Sequence, residues 1–153
     1  MEMRIRRARP EEADQLTELC IRSKRSNGYD DAFMAACRDE LTITAEDILN
    51  SAYWVAEADA LSGCAALYSD PDGRRAEVHA FFIDPDRQRQ GVGQMLWRTL
   101  SNYAIAQGLQ ELHLDADPGA VPFYEAMGFT VVGAAPSGSI PGRRIPHMTL
   151  ALT

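Results

Sequence analysis

The stretch that most constrains the fold of this chain is residues 76–96, AEVHAFFIDPDRQRQGVGQML. Its apolar first half predicts a buried strand, and the polar, arginine-rich segment that follows predicts a turn leading into an amphipathic helix. Backbone N–H groups in the first turn of a helix have no partner within the helix, and the peptide dipoles add partial positive charge there. Because such an end binds phosphate readily, we predict a pyrophosphate-binding turn over residues 88–94.

Two glycines and two arginines support this prediction. Gly91 and Gly93 carry no Cβ, so a ligand can approach the main chain closely. Arg87 and Arg89 add full positive charge beside the turn. A dinucleotide-binding dehydrogenase has a related glycine pattern, but the place of its third glycine is taken by Leu96, which argues against that class.

Residues 88–93, QRQGVG, resemble the acetyl-CoA signature of the GCN5-related N-acetyltransferases (GNAT), which is Gln or Arg, two residues, Gly, one residue, and Gly or Ala. Residues 120–129, AVPFYEAMGF, are similar to the late helix of that family, which ends in Tyr-Glu-x-x-Gly-Phe. The two motifs stand in the family's order about thirty residues apart, so together they are far more specific than either alone. The length suits a single acetyltransferase domain over residues 1–153.

The order of the predicted elements is β, α, α, three β, α, β, α, β, β, with a short extra helix before the three strands. This order resembles the α+β fold of the GNAT family, a mixed, mainly antiparallel central sheet flanked by helices. Because a whole helix separates them, strands 76–83 and 111–116 are predicted to be parallel, and the resemblance implies that they splay apart at their carboxyl ends. The predicted strands are 3–8, 53–57, 61–69, 75–83, 111–116, 129–132 and 145–152. The predicted helices run from 10 to about 24, from 30 to 41, over 44–50, from 91 to 108 and from 118 to 128, and a long loop covers 133–144.

Composition argues against several other classes. The net charge of −7 disfavours a nucleic-acid-binding surface, which needs a coherent basic stripe. The chain has no apolar run suited to a membrane helix or a signal peptide, and its three cysteines are widely spaced. We therefore expect a cytoplasmic protein that needs no metal and binds neither nucleic acid nor a membrane. The late strands offer a place for a homodimer.

The resemblance implies that acetyl-CoA lies between the splayed strands, with its pantetheine amides paired to exposed main chain near residues 81–83. One N–H group there polarises the thioester carbonyl, which is oxyanion stabilisation by a backbone donor. The position seven residues before Tyr124 is often an asparagine that contacts pantetheine, but it is Asp117 here. The cofactor-binding residues expected from the resemblance are Phe81, Phe82, Ile83, Gln88, Arg89, Gln90, Gly91, Val92, Gly93, Gln94, Asp117 and Phe123.

The resemblance also gives two catalytic candidates. Tyr124 matches the family tyrosine that lies near the CoA sulfur and protonates or hydrogen-bonds the departing thiolate. Glu77 stands fourteen residues before Gly91, the place of the catalytic glutamate in the histone-acetyltransferase branch. An amine acceptor must lose a proton during attack, so a base is needed. Glu77 is the first candidate and His79, on the same strand face, the second, while a solvated strand face is the alternative for both.

The expected acceptor is a primary amine on a small molecule or peptide, attacking acetyl-CoA directly in a ternary complex. Tyr29 and Phe33 lie where the family shapes its acceptor pocket, although packing of a helix pair explains them equally well. Asp115 or Asp117 could bind a cationic acceptor, and Arg143 could bind a carboxylate. A non-catalytic acyl-CoA sensor with the same fold is the alternative function.

Overall fold

The computed structural model describes residues 2–152, which form a seven-stranded sheet with helices packed on both faces. The strands are β1 (Arg4–Arg7), β2 (Ala52–Glu57), β3 (Leu61–Ser69), β4 (Arg75–Ile83), β5 (Glu111–Asp115), β6 (Thr130–Pro136) and β7 (Arg144–Ala151). The helices are α1 (Ala13–Arg25), α2 (Asp31–Leu41), α3 (Ala45–Asn50), α4 (Val92–Ala106) and α5 (Val121–Ala126). Short 3-10 turns occur at Pro10–Glu12, Pro85–Arg87 and Pro118–Ala120.

The strand order across the sheet is β1-β2-β3-β4-β5-β7-β6. Strands β1 to β4 form an antiparallel meander, β4 and β5 are parallel, and β7 lies between β5 and β6 and pairs antiparallel with both. The parallel pair follows from the crossover through α4, because a connection that contains a whole helix returns the chain in the same direction. The predicted fold class is therefore confirmed.

Each face of the sheet carries its own hydrophobic core. Leu96 and Leu100 of α4 are fully buried on one face against Leu112 of β5. Leu16 of α1 and Val55 of β2 are fully buried on the other face, beneath α1 and α2. Truncating a buried leucine to alanine usually costs about 2–5 kcal/mol, so these two cores fix the helices that flank the site.

The gap predicted between the two parallel strands is present. β4 and β5 pair only at Arg75 with Glu111, Ala76 with Leu112 and Glu77 with His113. Beyond Glu77, β4 continues beside β3 alone, while β5 continues beside β7. The edge of β4 that faces β5 is therefore open from residue 78 onward.

A β-bulge changes the direction of β4 inside this gap. The pairing with β3 shifts between Cys64 and Ala66, and Ala80 in the bulge has a positive φ of 50°. Because the extra residue inverts the alternation of side chains, Phe81 packs with the α4 and α5 side and Phe82 packs with the α1 and α2 side.

The late hairpin differs from its prediction. Residues 133–144 were expected to form a loop, but β6 extends to Pro136 and β7 begins at Arg144. Gly133 lies at a register shift that lets the ladder continue. The connecting loop is therefore only 137–143.

Candidate active site

A cavity of about 520 Å³ opens at the gap between β4 and β5. Its walls are β4 from Glu77 to Ile83, the end of β5, α5, the facing sides of α1 and α2, and the 137–143 loop. The cavity joins a side next to α4 and α5 to a side beneath α1 and α2.

The first turn of α4 has the donors that the sequence predicted. Gly91 is its N-cap in the left-handed conformation, with φ of 80°, and Arg89 also has a positive φ of 67°. The first hydrogen bond within the helix is donated by Met95 N–H to the Gly91 carbonyl, at 3.1 Å. The N–H groups of Val92 to Gln94 precede it, so they lie at the positive end of the helix dipole without intrahelical partners.

The two glycines also have roles within the fold, while the close approach of a ligand to them stays a prediction. A Cβ on Gly91 would meet nothing within 4 Å, so Gly91 is needed for its positive φ. A Cβ on Gly93 would lie 2.9 Å from Cε1 of Phe123. Gly93 therefore lets the aromatic ring of α5 pack onto α4. Phe123 in turn lines the cavity and contacts Phe81 edge-on, with ring centroids 5.4 Å apart.

One of the two expected arginines is engaged elsewhere. Arg87 donates to Asp59 across 2.9 Å, so its charge is partly neutralised. Arg89 and Gln90 are exposed beside the turn, and Gln88 is exposed and lines the cavity. The positive field at the start of α4 thus comes from the helix end and Arg89 more than from Arg87.

Tyr124 is a buried residue of α5 that lines the cavity. Its ring lies among three phenylalanines, with centroids 6.2 Å from Phe81, 5.2 Å from Phe123 and 5.7 Å from Phe129. Burial raises the pKa of Tyr124. The hydroxyl therefore keeps its proton at neutral pH and is available as a donor.

Glu77 and His79 form a bonded pair on the cavity wall. His79 Nε2 lies 2.9 Å from Glu77 Oε1, and both side chains are partly exposed. The hydrogen bond from His79 lowers the pKa of Glu77 although burial opposes the shift, so the carboxylate is ionised at neutral pH. The ring of Tyr68, whose hydroxyl hydrogen-bonds that of Tyr53, lies 4.4 Å from the His79 ring.

The acceptor-side candidates converge on Asp117. The hydroxyl of Tyr29 donates to Asp117 Oδ2 across 2.5 Å and accepts from Arg143 across 3.0 Å. The other oxygen, Oδ1, accepts from Gly119 N–H at 3.0 Å. Both carboxylate oxygens of Asp117 are therefore engaged within the protein. Burial raises its pKa, but these hydrogen bonds, with the charges of Lys24 and Arg143, lower it further than burial raises it.

Phe33 and Asp115, two further acceptor-site candidates, contact other side chains around the cavity. Phe33 stacks on Tyr29 with centroids 3.9 Å apart, and neither ring is among the residues that line the cavity. Asp115 lines the cavity and pairs with His147 across 2.6 Å. Among residues 2–152, no group of three or more His, Cys, Asp and Glu side chains is arranged to hold a metal ion.

Similarity to known proteins identifies the family. The Acetyltransferase (GNAT) family model matches residues 15–129, which include both motifs and the whole gap. The chain belongs to this family. Peptidyl-lysine N-acetyltransferase YjaB of Salmonella typhimurium is 32% identical over 151 residues, which cover 98% of each chain.

Solved GNAT structures share the fold. PaiA N-acetyltransferase from Thermoplasma acidophilum, in complex with coenzyme A, superposes with a TM-score of 0.80 at 19% identity and covers 99% of this chain and 100% of its own. The yncA protein of Salmonella typhimurium, with its cofactor acetyl-CoA, gives 0.72 at 20% identity, with 100% and 95% coverage.

This GNAT protein is therefore an acetyl-CoA-dependent N-acetyltransferase. The activity named for its relatives favours the enzyme over the acyl-CoA sensor. None of the helices described over residues 2–152 is long and apolar enough to cross a membrane.

Sequence reasoning about this GNAT site missed Lys24 and Tyr68. Both line the cavity. Tyr68 pairs across the sheet with Glu77, so a register prediction for the β3–β4 hairpin could have found it. Lys24 follows Cys20 by four residues on α1, and that spacing puts it one turn further along the same helix face.

Proposed function

We propose that this enzyme transfers an acetyl group from acetyl-CoA to a primary amine by direct attack in a ternary complex. The observation that carries the proposal is that one cavity brings together the Glu77–His79 pair, the open edge of β4 and Tyr124. The relative named for acetylation of peptidyl lysine supports a primary amine as acceptor.

Acetyl-CoA is expected to lie along the gap. The free N–H groups of residues 92–94 at the start of α4 suit the pyrophosphate, with Gln88, Arg89, Gln90 and Gly91 beside it. The open edge of β4 at residues 81–83 suits the pantetheine amides, which can pair with it as an added strand. Asp117 is less suited to pantetheine than asparagine, because its oxygens already accept from Tyr29 and Gly119.

The chemical step needs three contributions from the protein: a donor to the oxyanion, a hydrogen bond to the leaving sulfur, and a base for the amine proton. The amine nitrogen forms a bond to the thioester carbon, and a backbone N–H of residues 81–83 stabilises the oxyanion. The C–S bond then breaks and the electron pair leaves on sulfur. Tyr124 donates a hydrogen bond to this thiolate; full proton transfer is disfavoured because a thiol is a stronger acid than a buried tyrosine.

The proton released by the amine is assigned to the Glu77–His79 pair. If Nε2 of His79 carries the hydrogen that bonds Glu77, Nδ1 is left with a lone pair to accept the proton. Ionised Glu77 then stabilises the imidazolium that forms. This division of roles matches the better basicity of imidazole near neutral pH.

A covalent acyl-enzyme is not needed in this scheme. Cys20 lines the cavity, with its Sγ 3.7 Å from that of Cys64. The contact with Cys64 and burial both raise the pKa of Cys20. Because the thiolate is the nucleophile in cysteine chemistry, this neutral thiol is a poor candidate for an acetyl carrier.

The test is acetyl transfer to a panel of primary amines, followed by release of the CoA thiol. Glu77→Gln and His79→Asn should each lower kcat by about 100-fold or more and flatten its rise with pH. Glu111→Gln, on the adjacent strand and outside the cavity lining, is the matched control. Unchanged rates and pH profiles in both site variants would refute the assignment of the base.

A further inference from the structure

Two cations approach the acceptor side of the cavity from different elements. Lys24 lies in the last turn of α1, and Arg143 lies at the end of the 137–143 loop. Both line the cavity, and their side chains are only 17% and 24% exposed. Burying two positive charges on one wall is costly unless something compensates them.

Asp117 compensates the charge only in part. The Lys24 ammonium lies 3.6 Å from Asp117 Oδ2, and Arg143 Nη2 lies 3.9 Å from the same atom. Both distances exceed hydrogen-bond length. Within 4 Å, the carboxylate that both cations face is Asp117, and its oxygens already accept from Tyr29 and Gly119. Glu40, Glu77 and Asp115 also line the cavity but make no ion pair with either cation within that distance.

Most hydrogen-bond donors of the two cations remain available. An ammonium has three N–H donors and a guanidinium has five. Arg143 gives one N–H to the Tyr29 hydroxyl, at 3.0 Å. A ligand carboxylate can therefore accept from both residues without breaking the contacts that hold them.

The stacked rings of Tyr29 and Phe33 hold the cations in place. The Arg143 guanidinium carbon lies 4.9 Å from the Phe33 centroid and 5.5 Å from that of Tyr29. The Lys24 nitrogen lies 5.6 Å from Tyr29 and 5.8 Å from Phe33. These distances suit cation–π attraction, which fixes a long side chain before a ligand arrives.

We propose that Lys24 and Arg143 form a subsite for a carboxylate on the acceptor. The inference rests on the proposed function and deepens it: the acceptor is an amine that also bears an acidic group. That group can belong to a free amino acid or to an acidic residue beside a lysine in a peptide. The subsite is distinct from the start of α4, where the cofactor phosphates are expected.

Matched acceptor pairs test this directly. Lysine and 1,5-diaminopentane differ by a carboxylate, and so do two lysine peptides with Glu or Gln next to the lysine. The wild-type enzyme should prefer the carboxylate member of at least one pair by about tenfold in kcat/KM, the scale of a hydrogen bond to a charged group. The preferred pair identifies the source of the carboxylate.

Variants give the second readout. Arg143→Gln and Lys24→Met should each raise KM for the carboxylate acceptor by about tenfold and leave its uncharged partner within about twofold. Arg143→Lys should recover part of the preference. Arg144→Gln removes an equal charge from the neighbouring exposed residue, which bonds the Ala134 carbonyl, and should match the wild type.

Equal use of both members of each pair, or equal losses for both members in the variants, overturns the subsite. No thiol release with any amine overturns the proposed function instead. Thermal unfolding with lysine or the Glu peptide then decides the inference without turnover. Stabilisation of the wild type that Arg143→Gln abolishes supports the subsite, and no stabilisation overturns it.

Discussion

Replacing Tyr29 by phenylalanine removes a single oxygen that joins three elements of the acceptor side. That hydroxyl donates to Asp117 across 2.5 Å and accepts from Arg143 across 3.0 Å. The ring stack on Phe33, 3.9 Å between centroids, is retained in the variant. The substitution therefore isolates the two hydrogen bonds from the packing.

The expected loss of folding stability in Tyr29→Phe is moderate. A hydrogen bond to a charged group contributes about 1.5–3 kcal/mol when buried. The Asp117 side chain is 16% exposed and that of Arg143 24%, so water replaces part of the loss. We expect the free energy of unfolding to fall by about 1–2 kcal/mol at pH 7, a drop in Tm of about 2–8 °C for a domain of this size.

The loss of stability in Tyr29→Phe should depend on pH. The folded-state pKa of Asp117 lies below its ordinary value, because the hydrogen bonds and nearby cations outweigh burial. A group with a lowered folded pKa contributes stability above its unfolded pKa, about 3.9, and that contribution is lost as pH falls through the folded value. The difference between wild type and Tyr29→Phe should therefore be full at pH 6–7 and shrink below about pH 4.

Urea unfolding at several pH values measures this difference. Tyr103→Phe is the control, since Tyr103 of α4 packs against Trp54 of β2 and is outside the cavity lining. Equal stability of Tyr29→Phe and wild type at pH 7 would refute the reasoning. A constant difference down to pH 3 would show that the lost energy does not involve the Asp117 charge.

Two further predictions concern packing and assembly. Gly93→Ala places a Cβ 2.9 Å from Phe123, so we expect weaker binding of acetyl-CoA in calorimetry. A second substitution, Phe123→Leu, should restore this binding. In Gly91→Ala the Cβ meets no neighbouring atom and the strain comes from the φ of 80°, so Phe123→Leu should not restore binding there. Val132 is 60% exposed on the edge strand β6, in a stretch without charge from residue 129 to 142. We predict a dimer through this edge that Val132→Lys converts to a monomer in light scattering; a monomeric wild type at micromolar concentration would contradict it.

Local patterns were sufficient to predict the start of α4 and the shared face of Glu77 and His79. The turn at residues 88–94 is contiguous in sequence, so the start of the helix could be predicted without the fold, while its binding of pyrophosphate stays a prediction. Glu77 and His79 are two residues apart on a strand, and the period of two puts both on one face. The shared face lets the two side chains come within 2.9 Å of each other, a contact that the sequence did not predict, and their catalytic role stays a prediction.

Contacts between distant segments were not predictable in the same way. Three separate parts of the chain, the α1–α2 junction, the end of β5 and the 137–143 loop, converge to bring together Lys24, Tyr29, Asp117 and Arg143. The role of Gly93 was also hidden, since it depends on the position of the Phe123 ring.

The extension of β6 was missed because its residues carry no burial signal. Most of the strand is exposed on both faces, so hydrophobic alternation is absent. The ladder to β7 holds it in place.

The organisation of residues 1–153 as a single domain also stays a prediction.

The most direct test of the catalytic geometry is the rate of acetyl transfer by Tyr124→Phe, compared with Tyr103→Phe. Loss of a hydrogen bond to the departing thiolate should lower kcat by about 10- to 100-fold, with the Kd for acetyl-CoA within about twofold of wild type. Tyr103→Phe should retain the wild-type rate. A Tyr124→Phe enzyme with an unchanged kcat would contradict the account. The sulfur would then leave without a hydrogen bond from Tyr124, the hydroxyl-bearing residue of α5 in the cavity lining.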